Sequence, residues 1–210
     1  MQLLTKSLNA AVRMKFLLIA VAMLYVFSFL AGSYLVSLQV PFATQLKLGV
    51  HQAVLTKQPF LFVLDFLKQG ELLKAIVATF FVNFVMGAFL TTMLPGIVPA
   101  MGGLFIVGVT LARGFAVGVT YPEVLAASPA SFIVGLGTLI FELGAYVFSG
   151  AAGMNVALAP FFPQRYGVRT RLAALRAALI EALQVLPIVA VLLLVGAVWE
   201  MTGLFLLTHR

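Results

Sequence analysis

Residues 130–153 read ASFIVGLGTLIFELGAYVFSGAAG, 24 residues of which one, Glu142, is charged. A hydrocarbon core of roughly 30 Å needs about 20 mostly apolar helical residues, so this stretch is long enough to cross a bilayer. Its small and polar members, Gly135, Thr138, Glu142, Ala145, Ser149 and Ala152, are spaced 3, 4, 3, 4 and 3. That spacing places them on one helical face. Phe132, Leu136, Phe141 and Phe148 run opposite, suited to lipid or to bulky packing. The segment therefore predicts a membrane-spanning helix that turns its acid toward sister helices.

The rest of the chain has the same character. Of its 210 residues 63% are hydrophobic and 9% charged, against about 45–50% and 25% in a soluble domain. A water-soluble globule is excluded, because one body of this size has nowhere to hide so much apolar surface. Thirteen Lys and Arg against six acids give a net charge of +7. In a soluble protein that excess would suggest nucleic acid, but here the basic residues flank apolar runs and form no stripe, so they report membrane orientation. There is no cysteine, which removes disulfides and thiolate chemistry.

Further spans follow from uncharged runs of sufficient length. Residues 16–38 form the first, behind Lys6, Arg13 and Lys15; the run is too long for a signal-peptide core and lacks a clear small-residue cleavage site. Residues 75–94 form the second. Pro95, Gly96 and Pro99 then turn the chain into a third at 97–119, which contains Arg113, and the two read as an antiparallel hairpin. After the fourth, at 130–153, a fifth runs over 183–207, entered by an Arg-rich helix from near Arg176 and bent at Pro187. Between the first two spans lies a long loop, residues 39–74. Within it, residues 57–70 are apolar but too short to cross, and they read either as an interfacial helix or as a helix packed on the bundle. The expectation is an all-α, polytopic bundle of five spans plus one interfacial helix, forming a single domain.

Lys6, Arg13 and Lys15 fall on the same side as Arg165, Arg169, Arg171 and Arg176; Lys47, Lys57, Lys68, Lys74 and Arg210 fall on the other. The agreement of the first two clusters predicts a cytoplasmic N-terminus and an external C-terminus.

Polar groups at membrane depth carry the functional expectation, since an ionised side chain there costs about 2.5–3.5 kcal/mol on insertion scales. Arg113, Glu142 and Glu181 are the charged candidates. Thr79, Asn83, Gly87 and Thr91 recur every four residues in the second span, and Gly114 and Gly118 form a GxxxG pair in the third. Spans two, three and four are therefore expected to face one another around Asn83, Arg113, Thr138, Glu142 and Ser149, with Gly87, Gly114, Gly118, Gly150 and Gly153 permitting close packing. For Arg113 and Glu142 two readings stay open, a structural ion pair and an ion or proton path. Glu181 is read as a partner of Arg176, and Glu200 and His209 as outer-surface residues. His51 has no metal-ligand partner in view, and no metal or cofactor is expected. Ser149 and Glu142 make a poor nucleophile–base pair, so no enzyme is expected.

The motifs also carry a resemblance. Phe141-Glu142-Leu143 followed by Ser149-Gly150-Ala151-Ala152-Gly153 resembles the signature of the stage II sporulation protein M family, in which a membrane glutamate precedes a Gly-Ala-Ala-Gly run. Asn83, Phe84 and Gly87, then Gly114 and Gly118, then Arg176-Ala177-Ala178-Leu179-Ile180-Glu181-Ala182 match in order, so that the likeness covers about residues 75–200. Two departures stand out: Gly137-Thr138-Leu139 replaces a Pro-His-Gly, and Arg113-Gly114 replaces an Asn-Gly. The resemblance implies about five helices and a non-enzymatic membrane subunit or scaffold that recruits envelope or cytoplasmic partners. The alternative reading of the residues is a small-solute or ion transporter built on the Arg/Glu constellation. Besides lipid, the expected partners are proteins, among them a second copy in a homodimer, suggested by the small-residue faces.

Overall fold

The computed structural model describes residues 2–208; Met1, His209 and Arg210 lie outside the described residues. The fold is all-α, with no strand among the described residues. Five helices are long and apolar enough to cross a membrane. This is the form lipid demands, because a helix satisfies its backbone hydrogen bonds within the segment. The spans are α2 (Lys15–Ser37), α5 (Leu72–Phe81) with its continuation, α6 (Met101–Ala127), α7 (Pro129–Leu158) and α8 (Arg171–Thr208). Large apolar side chains such as Phe16, Phe27, Leu73 and Leu104 stand exposed around them, as a lipid-facing surface requires.

α7 is the central helix and touches α2, α6, α8 and the continuation of α5. Its start follows from local chemistry: Ser128 accepts a hydrogen bond from the Ser131 amide at 3.0 Å, and Pro129 occupies the first turn, where no backbone donor is lost. Gly135, Thr138, Ala145, Ser149 and Ala152 are all buried, with Glu142 half-buried among them. Phe132 and Leu136, opposite, are exposed, whereas Phe141 packs on Trp199.

Several expectations change. The segment 39–74 is not a loop with one helix: it holds α3 (Pro41–Thr56) and α4 (Phe60–Lys68). Pro41 opens α3 at its first turn, but Thr44, Gln45, Lys47, His51 and Gln52 break the apolar pattern, so the helix is poorly marked in sequence. An amphipathic helix, α1 (Gln2–Arg13), precedes the first span and packs on α8, with Ala10 in the shared core and Met14, just after the helix, beside it. The third span begins and ends later than 97–119 and runs through Pro122. The fifth is one unbroken helix that includes both the Arg-rich entry and Pro187.

Residues 72–97 form the second span in three parts: α5, a π-helical stretch at Val82–Met93, and a 3-10 turn at Leu94–Ile97. π-helical turns are rare and concentrate at functional sites. Here they hold Asn83, Gly87, Thr91 and Thr92.

The glycine pairs act mainly between partners other than those expected. A Cβ on Gly118 would collide with the Phe29 carbonyl, and one on Gly114 would lie 3.0 Å from the Tyr25 carbonyl, so the GxxxG face of α6 is pressed against α2. Gly153 meets the backbone of Thr92 and Met93, and Gly150 meets Val21 and Thr92. The small-residue faces from which a homodimer was expected are thus used within the chain.

Candidate functional site

Arg113 projects from α6 toward the π-helical stretch. Its guanidinium donates to Thr91 Oγ1 at 3.1 Å, Thr92 Oγ1 at 3.3 Å, the Gly87 carbonyl at 3.4 Å and the Tyr25 hydroxyl at 3.4 Å. It also lies 4.0 Å from the centre of the Tyr146 ring. A cation in a desolvated bundle is stabilised by such a cage of neutral oxygens and one aromatic face. Gly87 makes the cage possible: an added Cβ would stand 2.6 Å from the Tyr146 hydroxyl.

Glu142 lies one helical turn before Tyr146 on α7, about 6 Å along the axis. It is not paired with Arg113. Among the described residues the ion pairs are Arg13–Glu181, Lys47–Glu123 and Lys74–Glu71. The Tyr146 ring takes the guanidinium's face, and Glu142 turns instead to Asn83, whose Nδ2 donates to Oε1 at 2.6 Å. Its second neighbour is Glu200 of α8, which lines the smaller cavity beside it. Gly196, one turn before Glu200, lets α8 approach Phe141 and Glu142 closely. Glu200 was read as an outer-surface residue; it is half-buried and faces the bundle.

These side chains line two adjoining cavities. The larger, about 350 Å³, has Asn83, Gly87, Thr91, Arg113, Thr138 and Glu142 in its walls, with Tyr121 and Tyr146. The smaller, about 170 Å³, is lined by Thr79, Asn83, Glu142 and Glu200 and by apolar residues of α4 and α8. Asn83 and Glu142 belong to both, and Pro59 and Phe60, at the start of α4, cover both. The helix of residues 60–68 is thus packed on the bundle over the site.

The remaining candidates divide between the cavity wall and other parts of the bundle. Ser149 is fully buried, bonds to the Tyr146 carbonyl at 3.3 Å and lines neither cavity. Thr138 lines the larger cavity and bonds back to the Val134 carbonyl at 3.0 Å. Glu181 does not pair with Arg176. It accepts from Arg13 Nε at 2.6 Å and from Asn155 Nδ2 at 3.2 Å, while Asn155 Oδ1 accepts from the Tyr166 hydroxyl at 2.8 Å. Burial pushes the Tyr166 phenol above its ordinary range, with Arg165 opposing. Arg165 also donates to the Arg13 carbonyl at 2.8 Å, so the N-terminal basic cluster and the one before α8 share one end of the bundle.

Sequence reasoning missed Tyr25, Tyr121, Tyr146 and Glu200. Tyr25 had a signal: with Val21, Ser28 and Gly32 it forms a buried face at spacings 4, 3 and 4 on α2. Glu200 had only Gly196 one turn earlier. Among the described residues no three His, Cys, Asp or Glu side chains come together. Together these cavities are lined by one fixed cation, two carboxyls, an amide and hydroxyls. No family model, no curated protein and no solved structure matches the chain.

Proposed function

We propose that the chain is a non-enzymatic, multi-pass membrane protein that moves a small polar solute or ion through its bundle, with Arg113 and Glu142 on the walls of the route. The observation that carries this reading is the separation of the two. A structural ion pair would join them, whereas both line the same cavity of about 350 Å³, Arg113 bonded to neutral oxygens and Glu142 to Asn83. Membrane proteins hold charges at such depth at a cost, and bundle interiors that keep unpaired ones mark substrate and ion routes.

Flux into proteoliposomes loaded against a panel of small ions and polar solutes tests it. The parent is expected to pass at least one species that Glu142→Gln and Arg113→Gln pass at no more than about a tenth of the rate, a loss of roughly 1.4 kcal/mol in barrier terms. Equal flux through all three proteins, or none across the panel, overturns it.

A second reading is the membrane subunit that the stage II sporulation protein M resemblance implies. What favours it is the basic end of the bundle, where Arg169, Arg171 and Arg176 are exposed beside the Arg13–Arg165 contact. In either reading this end faces the cytoplasm by the positive-inside rule, in the prokaryotic inner membrane that the resemblance implies. Purification from native membranes in mild detergent that recovers this chain alone removes the scaffold reading.

A further inference from the structure

The smaller cavity is lined by oxygen-bearing side chains from three spans. Glu142 comes from α7, Glu200 from α8, and Asn83 and Thr79 from the second span. Asn83 spends its amide nitrogen on Glu142, which leaves its carbonyl oxygen as an acceptor. Thr79 is the unusual member. Helical threonines ordinarily return their hydroxyl to a carbonyl of the preceding turn, as Thr91, Thr120 and Thr138 do here. The Thr79 hydroxyl has no hydrogen-bond partner among the described residues, although the residue is only 7% exposed and lines the cavity. A buried hydroxyl without a partner costs about 1–3 kcal/mol, which a ligand would recover.

The donor set is two carboxylates, one amide oxygen and one hydroxyl. Hard oxygen donors of this kind suit hard cations and not the thiolate- or imidazole-seeking metals. Charge selects among the hard cations. Glu142, Glu200 and Arg113 are the only ionisable groups among the residues lining the two cavities apart from the phenols of Tyr121 and Tyr146. Two carboxylates and one guanidinium leave a net charge of minus one. One monovalent cation cancels it, and so does one proton held between the carboxyls; a divalent ion would leave a net positive charge in a low-dielectric interior. The cavity of about 170 Å³ has room for the ion and for waters, each filling about 30 Å³, to complete its shell.

We propose that Thr79 Oγ1, Asn83 Oδ1 and the Glu142 and Glu200 carboxylates bind one alkali cation of the Na⁺ class, in competition with a single proton shared by the two carboxyls. Binding exchanges one charge for one. The carboxylic acid–carboxylate pair takes up Na⁺, its O–H bond breaks, the proton leaves to solvent, and both carboxylates coordinate the ion. The site deepens the transport reading and rests on it for its physiological use, but not for its occupancy.

Equilibrium binding of ²²Na⁺ to the purified full-length protein, with a pH electrode in weakly buffered solution, tests it without requiring flux. The expected result is saturable binding of about one Na⁺ per chain with release of about one proton, weakened as the medium is acidified. Those measurements need no variant. Glu142→Gln, Glu200→Gln and the near-isosteric Thr79→Val, each first shown to be monodisperse, are expected to weaken binding by about tenfold or more, and Glu181→Gln to leave it unchanged. Absence of saturable Na⁺ binding, binding without proton release, or full binding by the Glu142→Gln/Glu200→Gln double variant overturns the proposal. Na⁺ binding without flux of any solute removes the transport reading and leaves the site standing. Flux without Na⁺ binding does the reverse.

Discussion

Glu142 and Glu181 are acids of the same kind on neighbouring helices, and the bundle treats them in opposite ways. Glu181 is neutralised by Arg13 and held by Asn155, which is itself bonded to Tyr166. Glu142 has an amide and another acid for neighbours, beside a cavity. The first arrangement ties α1 and the turn after α7 to α8. The second leaves charge unneutralised by the protein, and an interior acid of that kind is where binding is found.

The sharpest way to break the comparison is to remove the same charge at both places. Glu142→Gln is expected to cut flux by about tenfold or more while leaving thermal stability unchanged or raised, since it deletes a buried charge and keeps a group that Asn83 and Glu200 can bond. Glu181→Gln is expected to do the converse, lowering stability by about 1–3 kcal/mol in detergent melts with flux within about twofold of the parent. A Glu181→Gln protein that melts like the parent but loses flux would show that both acids serve the route. Asn155→Ala sharpens the structural side: it removes one bond each from Glu181 and Tyr166, and about 1 kcal/mol is expected to be lost. The smallest effect is expected from Lys47→Ala, which breaks the pair with Glu123 on an exposed side chain and is expected to leave both melting and flux unchanged.

Much of the architecture was legible because lipid imposes a one-dimensional rule. Apolar length and backbone satisfaction suffice to read five spans from residues such as 16–38 and 130–153. The same rule fails for short helices. α1 and α3 are too polar to register as spans, and their helicity depends on surfaces that α8 and α6 offer them. Periodicity found the small face of α7 but not what it meets, because spacing on one helix carries no information about the neighbour. The Gly114–Gly118 face, expected to pack among spans two, three and four, lies against α2.

By itself, then, the sequence determined the solvent of this protein, the number of its crossings and which residues are too costly to leave facing lipid. Only the tertiary structure decided the pairings: Arg113 with a ring of neutral oxygens, Glu181 with Arg13 from the other end of the chain, and Glu142 with Glu200 across a contact that Gly196 permits. The reason is physical. Insertion cost is a property of each residue alone, and it can be summed along a chain. Electrostatic partnership falls off over a few ångströms and depends on side chains more than 50 or 150 residues apart meeting at one depth.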